Sequence, residues 1–276
     1  MSSANNLTSR VIPSTKQANP DKFQAISLGP KTNRKDPEPR DTTVSSHFQI
    51  DNNTTVKFQD EVVMLGITID NKLSFNTHVS NLCKKAARQL NVLCRLSNLL
   101  EEKTKLIIYK AYIFSNFNYC PLVWHFCSKT STNKMEKIQQ RALKFVFGVP
   151  KGQNKTQTYS YHQLLKKANL VPLTVFRLRA LAKQVFMSIN KIGPSYLHDL
   201  FRPKIHRRTL RNVGQLDIPQ VKTVKFGVNS LRHLGPKIWN DLPNEFKKDL
   251  TLTDFNRLIC SWDGPKCNCG FCSNYE

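Results

Sequence analysis

The sequence predicts an α+β fold that is mostly α-helical, and two periodic patterns of apolar residues support this prediction. Within Val62–Ile69, Leu65, Ile67 and Ile69 alternate with other residues, which is the period of a half-buried β-strand. From Phe75 onward, apolar residues recur every three or four positions, which is the period of an amphipathic α-helix. We therefore expect a small antiparallel sheet within residues 22–70, followed by a helical bundle and a helical C-terminal extension.

The predicted sheet has three or four strands. Its first β-like run is Phe23–Leu28. Phe48–Ile50 and Thr55–Phe58 flank Asp51-Asn52-Asn53, whose residue types favour a hairpin turn. Residues 1–18 are polar and show no period, so we expect them to be disordered.

Three helices are predicted over residues 75–148. Ser74 is a suitable N-cap for the first helix, and the acidic pair Glu101-Glu102 suits the first turn of the second. The second helix is predicted to run through Leu106, Ile107, Ala111 and Phe114. The third helix is predicted over about Asn133–Phe147, and Gly148 and Pro150 favour its end there.

The rest of the chain is predicted to be a basic helical extension over residues 151–259 and a cysteine-rich tail over residues 260–276. Helices are expected at about Tyr161–Ala168, Leu173–Ile189 and Thr253–Ile259. The basic segment Arg202–Arg211 lies between the second and the third of these helices.

The charge balance indicates a polyanionic partner. The chain has 42 Lys and Arg residues against 19 Asp and Glu residues, which gives a formal net charge of +23. Residues 1–60 account for only +2 of this excess, so most of it lies further along the chain. A large excess causes self-repulsion in a compact protein, and a nucleic acid would relieve it. A cationic but merely soluble protein is the alternative.

Basic residues at helical spacing form two stripes, and others form a separate patch. The first stripe consists of Lys84, Arg88 and Arg95, the second of Lys134, Lys137, Arg141 and Lys144, and the patch of Arg202, Lys204, Arg207, Arg208 and Arg211. Cations along one helix face can contact phosphates without reading bases. We therefore predict that these residues bind RNA, DNA or an RNA–DNA hybrid. An ordinary solvated surface is the alternative.

The sequence gives no sign of a membrane partner. No apolar run reaches the roughly 18 residues of a membrane span. The first residues also lack the basic and apolar blocks of a signal peptide. We therefore expect an intracellular protein, nuclear or cytoplasmic, whose eight cysteines are free thiols or metal ligands rather than disulfides.

Two groups of cysteines are candidates for chemistry. Cys260, Cys267, Cys269 and Cys272 are close enough in sequence to hold one structural zinc ion, and a cysteine-rich tail without metal is the alternative. Cys120, His125 and Cys127 lie among apolar residues with no acidic neighbour in sequence. They are predicted to pack in a core rather than to form a catalytic or metal site.

Four blocks of sequence carry a resemblance to a known family. They are Asn19–Ile26 (NPDKFQAI), Val62–Asp70 (VVMLGITID), Asn118–Trp124 (NYCPLVW) and Leu231–Pro243 (LRHLGPKIWNDLP). In this order they resemble the C-terminal half of reverse transcriptases from LINE-type, jockey-like retrotransposons, which lack long terminal repeats. The resemblance implies a palm remnant over residues 19–72 with a primer-grip-like hairpin at Leu65 and Gly66. It further implies a thumb-like bundle over residues 73–150, followed by the family's C-terminal extension.

The same resemblance implies that the catalytic site is missing. Family members hold two magnesium ions with adjacent aspartates on a hairpin before the first block and with a third aspartate on an earlier strand. Residues 1–18 contain no acidic residue. We therefore expect no magnesium site, and a truncated RNA-directed DNA polymerase that is inactive alone but keeps its template–primer-binding surfaces. The alternatives are a domesticated nucleic-acid-binding module and a relic without function.

The zinc hypothesis predicts near-stoichiometric zinc in protein purified without chelator, measured by elemental analysis. Four thiolates complete a tetrahedral structural site, so the substitution Cys269→Ser should remove most of the metal. The substitution Cys94→Ser, outside the tail, serves as the control and should leave the zinc content unchanged. A metal-free parent protein that folds normally would instead favour the tail without metal.

Overall fold

A computed structural model describes residues 23–28, 47–51, 54–96, 99–149, 159–204 and 214–264. It confirms the α+β class with helices predominating. The chain divides into two compact units, Met1–Leu73 and Ser74–Glu276. Within the described ranges, no helix combines the length and the apolar character that crossing a bilayer requires.

The strands of the first unit form two small sheets. Strands β1 (Ala25–Ile26), β2 (His47–Asp51) and β3 (Thr54–Gln59) form one sheet in the order β1-β3-β2. The pair β2–β3 is antiparallel, as predicted, but β1 runs parallel to β3. Apolar alternation shows which face of a strand is buried, whereas the direction of pairing depends on the route of the connecting chain. The expectation of a purely antiparallel sheet was therefore wrong for β1.

The second sheet is a tight hairpin of β4 (Glu61–Met64) and β5 (Ile67–Asp70), whose register pairs Met64 with Ile67. The two turn residues, Leu65 and Gly66, have φ angles of 49° and 79°. Two positive φ values are the mark of the type I′ turn, whose twist matches that of the flanking strands. Glycine adopts this conformation without steric cost at the second position.

The second unit begins with three helical segments. They are α1 (Asn76–Arg95), a continuous stretch made of α2 (Glu102–Ile108), a π-helical segment (Tyr109–Phe114) and α3 (Ser115–Asn118), and α4 (Lys129–Val146). The N-cap of α1 is Phe75, in a left-handed conformation, so the assignment of Ser74 as the cap was wrong. Helix α4 begins earlier than predicted because the Ser128 hydroxyl accepts a hydrogen bond from the Ser131 backbone N–H.

The continuous stretch from α2 through the π-helical segment to α3 is called the middle helix below. The π-helical segment changes which face of this helix is buried. The fully buried residues are Tyr109, Ile113 and Phe117. The predicted helix does run through Ile107 and Ala111, but Ile107 is 66% exposed and Ala111 is also exposed. A π-helical turn is wider than an α-helical turn, and it shifts the apolar stripe away from the positions that a regular helix predicts.

Further helices complete the second unit around two apolar cores. They are α5 (Tyr161–Ala168), α6 (Leu173–Ile189), α7 (Leu231–Asp241) and α8 (Leu252–Ile259). The first core joins α1, the middle helix and α4 to α5 and the start of α6, so it extends past residue 150. The second core lies among α6, α7 and α8, where the rings of Phe186 and Phe255 stack with centroids 4.2 Å apart.

The block Leu231–Pro243 coincides with α7, and its residues hold the second core together. The Leu216 N–H donates to Asn240 Oδ1 at 2.8 Å, and Asn240 Nδ2 donates to the Leu216 carbonyl at 2.9 Å. The Trp239 indole N–H donates to the Gly214 carbonyl at 2.9 Å. The conspicuous polar and aromatic residues of this block therefore fix the segment after residue 213 against α7.

The Asn240 contacts predict that Asn240→Ala destabilises the second core. Leu216 is only 3% exposed, and the substitution leaves its N–H and carbonyl without these partners. We expect the free energy of unfolding in urea to fall by about 1–3 kcal/mol. The exposed Asn244 provides the control, since Asn244→Ala should change this value by less than about 0.5 kcal/mol. Equal effects of the two substitutions would contradict the structural role of Asn240.

Candidate nucleic-acid interface

The two predicted basic stripes lie on adjacent helices, α1 and α4. Their apolar faces contribute to the same core, through residues such as Leu90 on α1 and Leu143 on α4. On the other side the cations reach solvent, and all of them are exposed except the half-buried Lys144. We call this set the cation ladder, and it consists of Lys84, Arg88, Arg95, Lys134, Lys137, Arg141 and Lys144.

Three observations show how the two helices are aligned. Arg141 Nη2 donates to Asn91 Oδ1 at 2.6 Å, and Lys84 and Lys134 line one common cleft. Lys134 also lies near Cys83 of α1: burial raises the pKa of this thiol to about 11, and the Lys134 ammonium opposes the increase. Both steps, from Lys84 to Asn91 and from Lys134 to Arg141, cover about two helical turns. Helices α1 and α4 therefore run in the same direction, with their basic stripes side by side.

This alignment sets the size of the ladder. From Lys84 to Arg95 the helix axis advances about 16 Å. One strand of B-form DNA places about five phosphates over the same axial length. Two parallel rows of cations separated by a helix–helix distance of about 8–10 Å can therefore follow several consecutive phosphates. The basic stripes of α1 and α4, which are separate in the sequence, thus form one surface in the structure.

No carboxylate of the described residues pairs with a ladder cation. The ion pairs Lys167 with Glu102, Arg179 with Asp263 and Arg257 with Asp254 all lie away from the ladder cations. Arg141 bonds to a neutral amide instead. The cations of the ladder thus keep their charge available for a phosphate.

Glu136, the one acid within the second stripe, is turned toward the protein interior. Its Oε1 accepts from the Thr174 N–H at 2.9 Å and from the Thr174 hydroxyl at 3.2 Å. Its Oε2 accepts from the Tyr161 hydroxyl at 2.7 Å. Burial and, second, this carboxylate raise the pKa of Tyr161 well above its ordinary value, so the phenol remains a donor. The sequence placed Glu136 as an interruption of the stripe, whereas the structure removes it from the outward face.

Arg177 is a buried cation that the sequence did not single out. It is 2% exposed, and its guanidinium donates to the Thr132 hydroxyl at 3.2 Å and to the His125 carbonyl at 3.4 Å. The same group lies 5.4 Å from the centre of the Trp124 ring. It therefore holds the loop before α4 in place and takes no part in the ladder. Its position in the strongly apolar helix α6 was the available sequence signal.

The block Asn118–Trp124 forms this loop, together with the three residues that follow it. Cys120 is exposed with a φ of 45°, so its predicted core packing was wrong. Cys127 is half-buried against the first core, and His125 packs edge-on against Phe126. Burial and the nearby Arg177 lower the pKa of His125 to about 3, which keeps the imidazole neutral. The loop therefore has a packing role among the described residues.

The separate basic patch is described only in part. Arg202 and Lys204 are exposed, whereas Arg207, Arg208 and Arg211 lie outside the described residues. The backbone around Arg202 pairs with a second segment, because the Asp217 N–H donates to the Arg202 carbonyl at 2.8 Å. This pairing brings an acidic residue beside Arg202, although the two are far apart in the sequence.

The remaining candidates lie outside the ladder. Leu65, at the tip of the β4–β5 hairpin with Gly66, is 82% exposed. Cys260 is exposed immediately after α8, while Cys267, Cys269 and Cys272 fall outside the described residues. Within the described ranges, no group of three or more His, Cys, Asp or Glu side chains is placed to hold a metal ion. The zinc hypothesis for the tail stays a prediction.

Comparison of the chain with protein-family models, with curated proteins and with solved structures gives no match. Support for a function therefore comes from the geometry of the described residues. Among the candidate sites discussed above, the cation ladder brings together the largest number of predicted binding residues.

Because Glu136 points inward, its removal is predicted to lower the stability of the protein without changing its affinity for nucleic acid. Glu136→Ala leaves Thr174 and Tyr161 without these acceptors, so the free energy of unfolding should fall by about 1–3 kcal/mol. If the ladder binds a duplex, the affinity at physiological salt should change by less than about twofold, because the carboxylate does not face the solvent side of the ladder.

Asn91→Asp is the matched control, since it places a carboxylate beside Arg141 on the ladder itself. It should weaken binding and leave stability nearly unchanged. Fluorescence anisotropy and urea unfolding measure the two quantities. A Glu136→Ala protein that binds much more tightly than the parent would show that Glu136 does act on the outward face.

Proposed function

We propose that this chain binds nucleic acid through phosphate contacts along the cation ladder, in the manner of a reverse-transcriptase thumb. The observation that carries the proposal is the alignment of seven cations from two parallel helices on one face. No carboxylate of the described residues is paired with them. This arrangement suits a regularly spaced polyanion better than a single small anion.

Phosphate neutralisation supplies the binding energy in this mechanism. Each ladder cation that contacts a phosphate releases condensed counterions, and affinity falls steeply as salt rises. Lysine and arginine side chains directed at the backbone position a duplex but do not read its bases. The proposed partner is therefore RNA, DNA or an RNA–DNA hybrid, bound with little dependence on sequence.

The resemblance to LINE-type reverse transcriptases supports the same proposal. The block Val62–Asp70 forms a tight hairpin, and the block Asn118–Trp124 forms the loop that leads into ladder helix α4. The block Leu231–Pro243 forms α7 in the second core. We propose that these segments are the primer-grip-like, thumb-like and C-terminal parts of such an enzyme.

A binding role is proposed rather than a catalytic one. The sequence has two pairs of adjacent acidic residues, Asp60-Glu61 and Glu101-Glu102. In the first pair Asp60 accepts a hydrogen bond from Asn71 at 2.8 Å, and in the second Glu102 forms an ion pair with Lys167 at 3.0 Å. Asp60 and Glu102 therefore each have a local structural contact. We further propose that the tail cysteines, with Cys260, hold a structural zinc ion and that the protein acts inside the cell, where its polyanionic partners occur.

The decisive test removes three of the seven ladder cations. In the triple variant Lys137→Gln, Arg141→Gln and Lys144→Gln, the positive charge falls by three. The parent should show a log–log salt slope of roughly −4 to −6 on a primed RNA–DNA hybrid, and the variant should lower its magnitude by about two to three. Unrelated duplex sequences should lose affinity equally. Fluorescence anisotropy across a salt series provides the measurement.

The control variant removes the same charge elsewhere. Lys222, Lys237 and Lys248 are exposed lysines in the segments around the second core. Their joint replacement by Gln should leave the salt slope close to that of the parent. If the two triple variants lose affinity alike, total charge determines binding and the ladder is not the site. Strong preference of the parent for one base sequence would also contradict contacts made only with phosphates.

A further inference from the structure

A cleft of about 480 Å³ lies at one end of the cation ladder, where α1 and α4 both begin. Lys84 and Lys134 contribute its two cations, and Ser80, Ser131 and Asn81 contribute hydroxyl and amide groups. None of the residues that line it, all of which the structure describes, is acidic. The cleft thus combines positive charge with short, polar hydrogen-bonding side chains.

The cleft has a different shape from the rest of the ladder. Along the outer face each cation stands separately, which suits diester phosphates that carry one charge and continue into sugar on both sides. A concave site can surround a phosphate more completely where the strand ends, because the terminal phosphate is linked to sugar on one side only. A terminal phosphomonoester carries about −1.5 to −2 charges near neutral pH and offers three strong acceptor oxygens. It can therefore use both lysines and several hydroxyl donors together.

The position of the cleft adds to its preference for an anion. Asn76 and Thr77, in the first turn of α1, line it together with Thr130 and Ser131, in the first turn of α4. Helix N-termini carry partial positive charge, and two of them oriented in the same direction reinforce the two lysines. The volume also matters, because a cleft of this size can hold a phosphate together with its nucleoside.

We propose that this cleft binds the phosphorylated terminal nucleotide of a nucleic-acid strand whose following phosphates lie along the cation ladder. The inference rests on the proposed nucleic-acid binding and extends it to the chemical state of the strand end. A strand that carries a terminal phosphate is held at both sites, whereas a strand with a terminal hydroxyl is held by the ladder alone.

The experiment compares oligonucleotides of one sequence that carry a 5′-phosphate, a 3′-phosphate or hydroxyls at both ends, bound to the full chain and measured by fluorescence anisotropy. The parent should bind one phosphorylated form about tenfold or more tightly than the hydroxyl form, since two charge-assisted contacts supply at least that difference. In the double variant Lys84→Gln and Lys134→Gln, the affinities for the phosphorylated and the hydroxyl oligonucleotides should become equal.

The double variant Lys137→Gln and Lys144→Gln is the matched control, because it removes the same charge from the ladder outside the cleft. It should weaken both forms and preserve their ratio. A second cleft variant, Asn81→Asp, places a carboxylate among the lining residues and should weaken the phosphorylated form selectively. Thermal melting of each variant shows that it is folded, and exposed substitutions of this kind cost little stability.

Three outcomes would overturn the inference. If the parent binds the phosphorylated and hydroxyl forms equally, the cleft inference fails while the proposed nucleic-acid binding stands. If no oligonucleotide binds, the proposed function fails together with it. If adenosine monophosphate competes as well as the phosphorylated oligonucleotide, the cleft takes a free nucleotide and the proposed link to the ladder is wrong.

Discussion

The carboxylate of Glu136 is the polar contact on which the arrangement of the helical unit depends. It projects from α4 and accepts hydrogen bonds from the first residues of both α5 and α6, through Tyr161 and Thr174. One turn further along α6, Arg177 contacts the hydroxyl of Thr132 on α4 and the loop that precedes this helix. Four segments thus meet at one polar cluster inside an otherwise apolar unit. Because its partners lie inward, the opposite face of α4 is free to carry cations.

Helix α6 extends this arrangement from one core to the other. Its first residue, Leu173, belongs to the core of α1 and α4, while Leu181 belongs to the core of α7 and α8. The loop before α4 joins the two cores in the same way, since Trp124 is fully buried beside Arg177 and Leu122 packs against the second core. The ladder helices therefore pack on a core that is continuous with the rest of the unit, and this packing fixes the spacing of the backbone positions that carry the basic side chains.

The electrostatics of the ladder follow from this packing. Side chains of like charge on two adjacent helices repel one another, and the structure offsets this repulsion with an amide at Asn91 rather than with a carboxylate. Water and salt screen exposed charges when no ligand is bound. A polyanion would replace that screening with direct contacts, which is the physical basis of the proposed binding. At the start of the helices, the cleft beside Lys84 and Lys134 concentrates the same potential in a concave site.

The fold class, and the bounds of helices whose signals are local, follow from the amino-acid pattern alone. Helix α6 begins and ends where its apolar period predicts, and α5 does so with a capping box between Ser160 and Gln163. The exposure of Ile107 is visible only in the folded chain, because the π-helical segment shifts the buried face. The same is true of the inward orientation of Glu136 and of the contact between Arg141 and α1. These outcomes depend on contacts between residues far apart in the chain, and local periodicity carries no information about them.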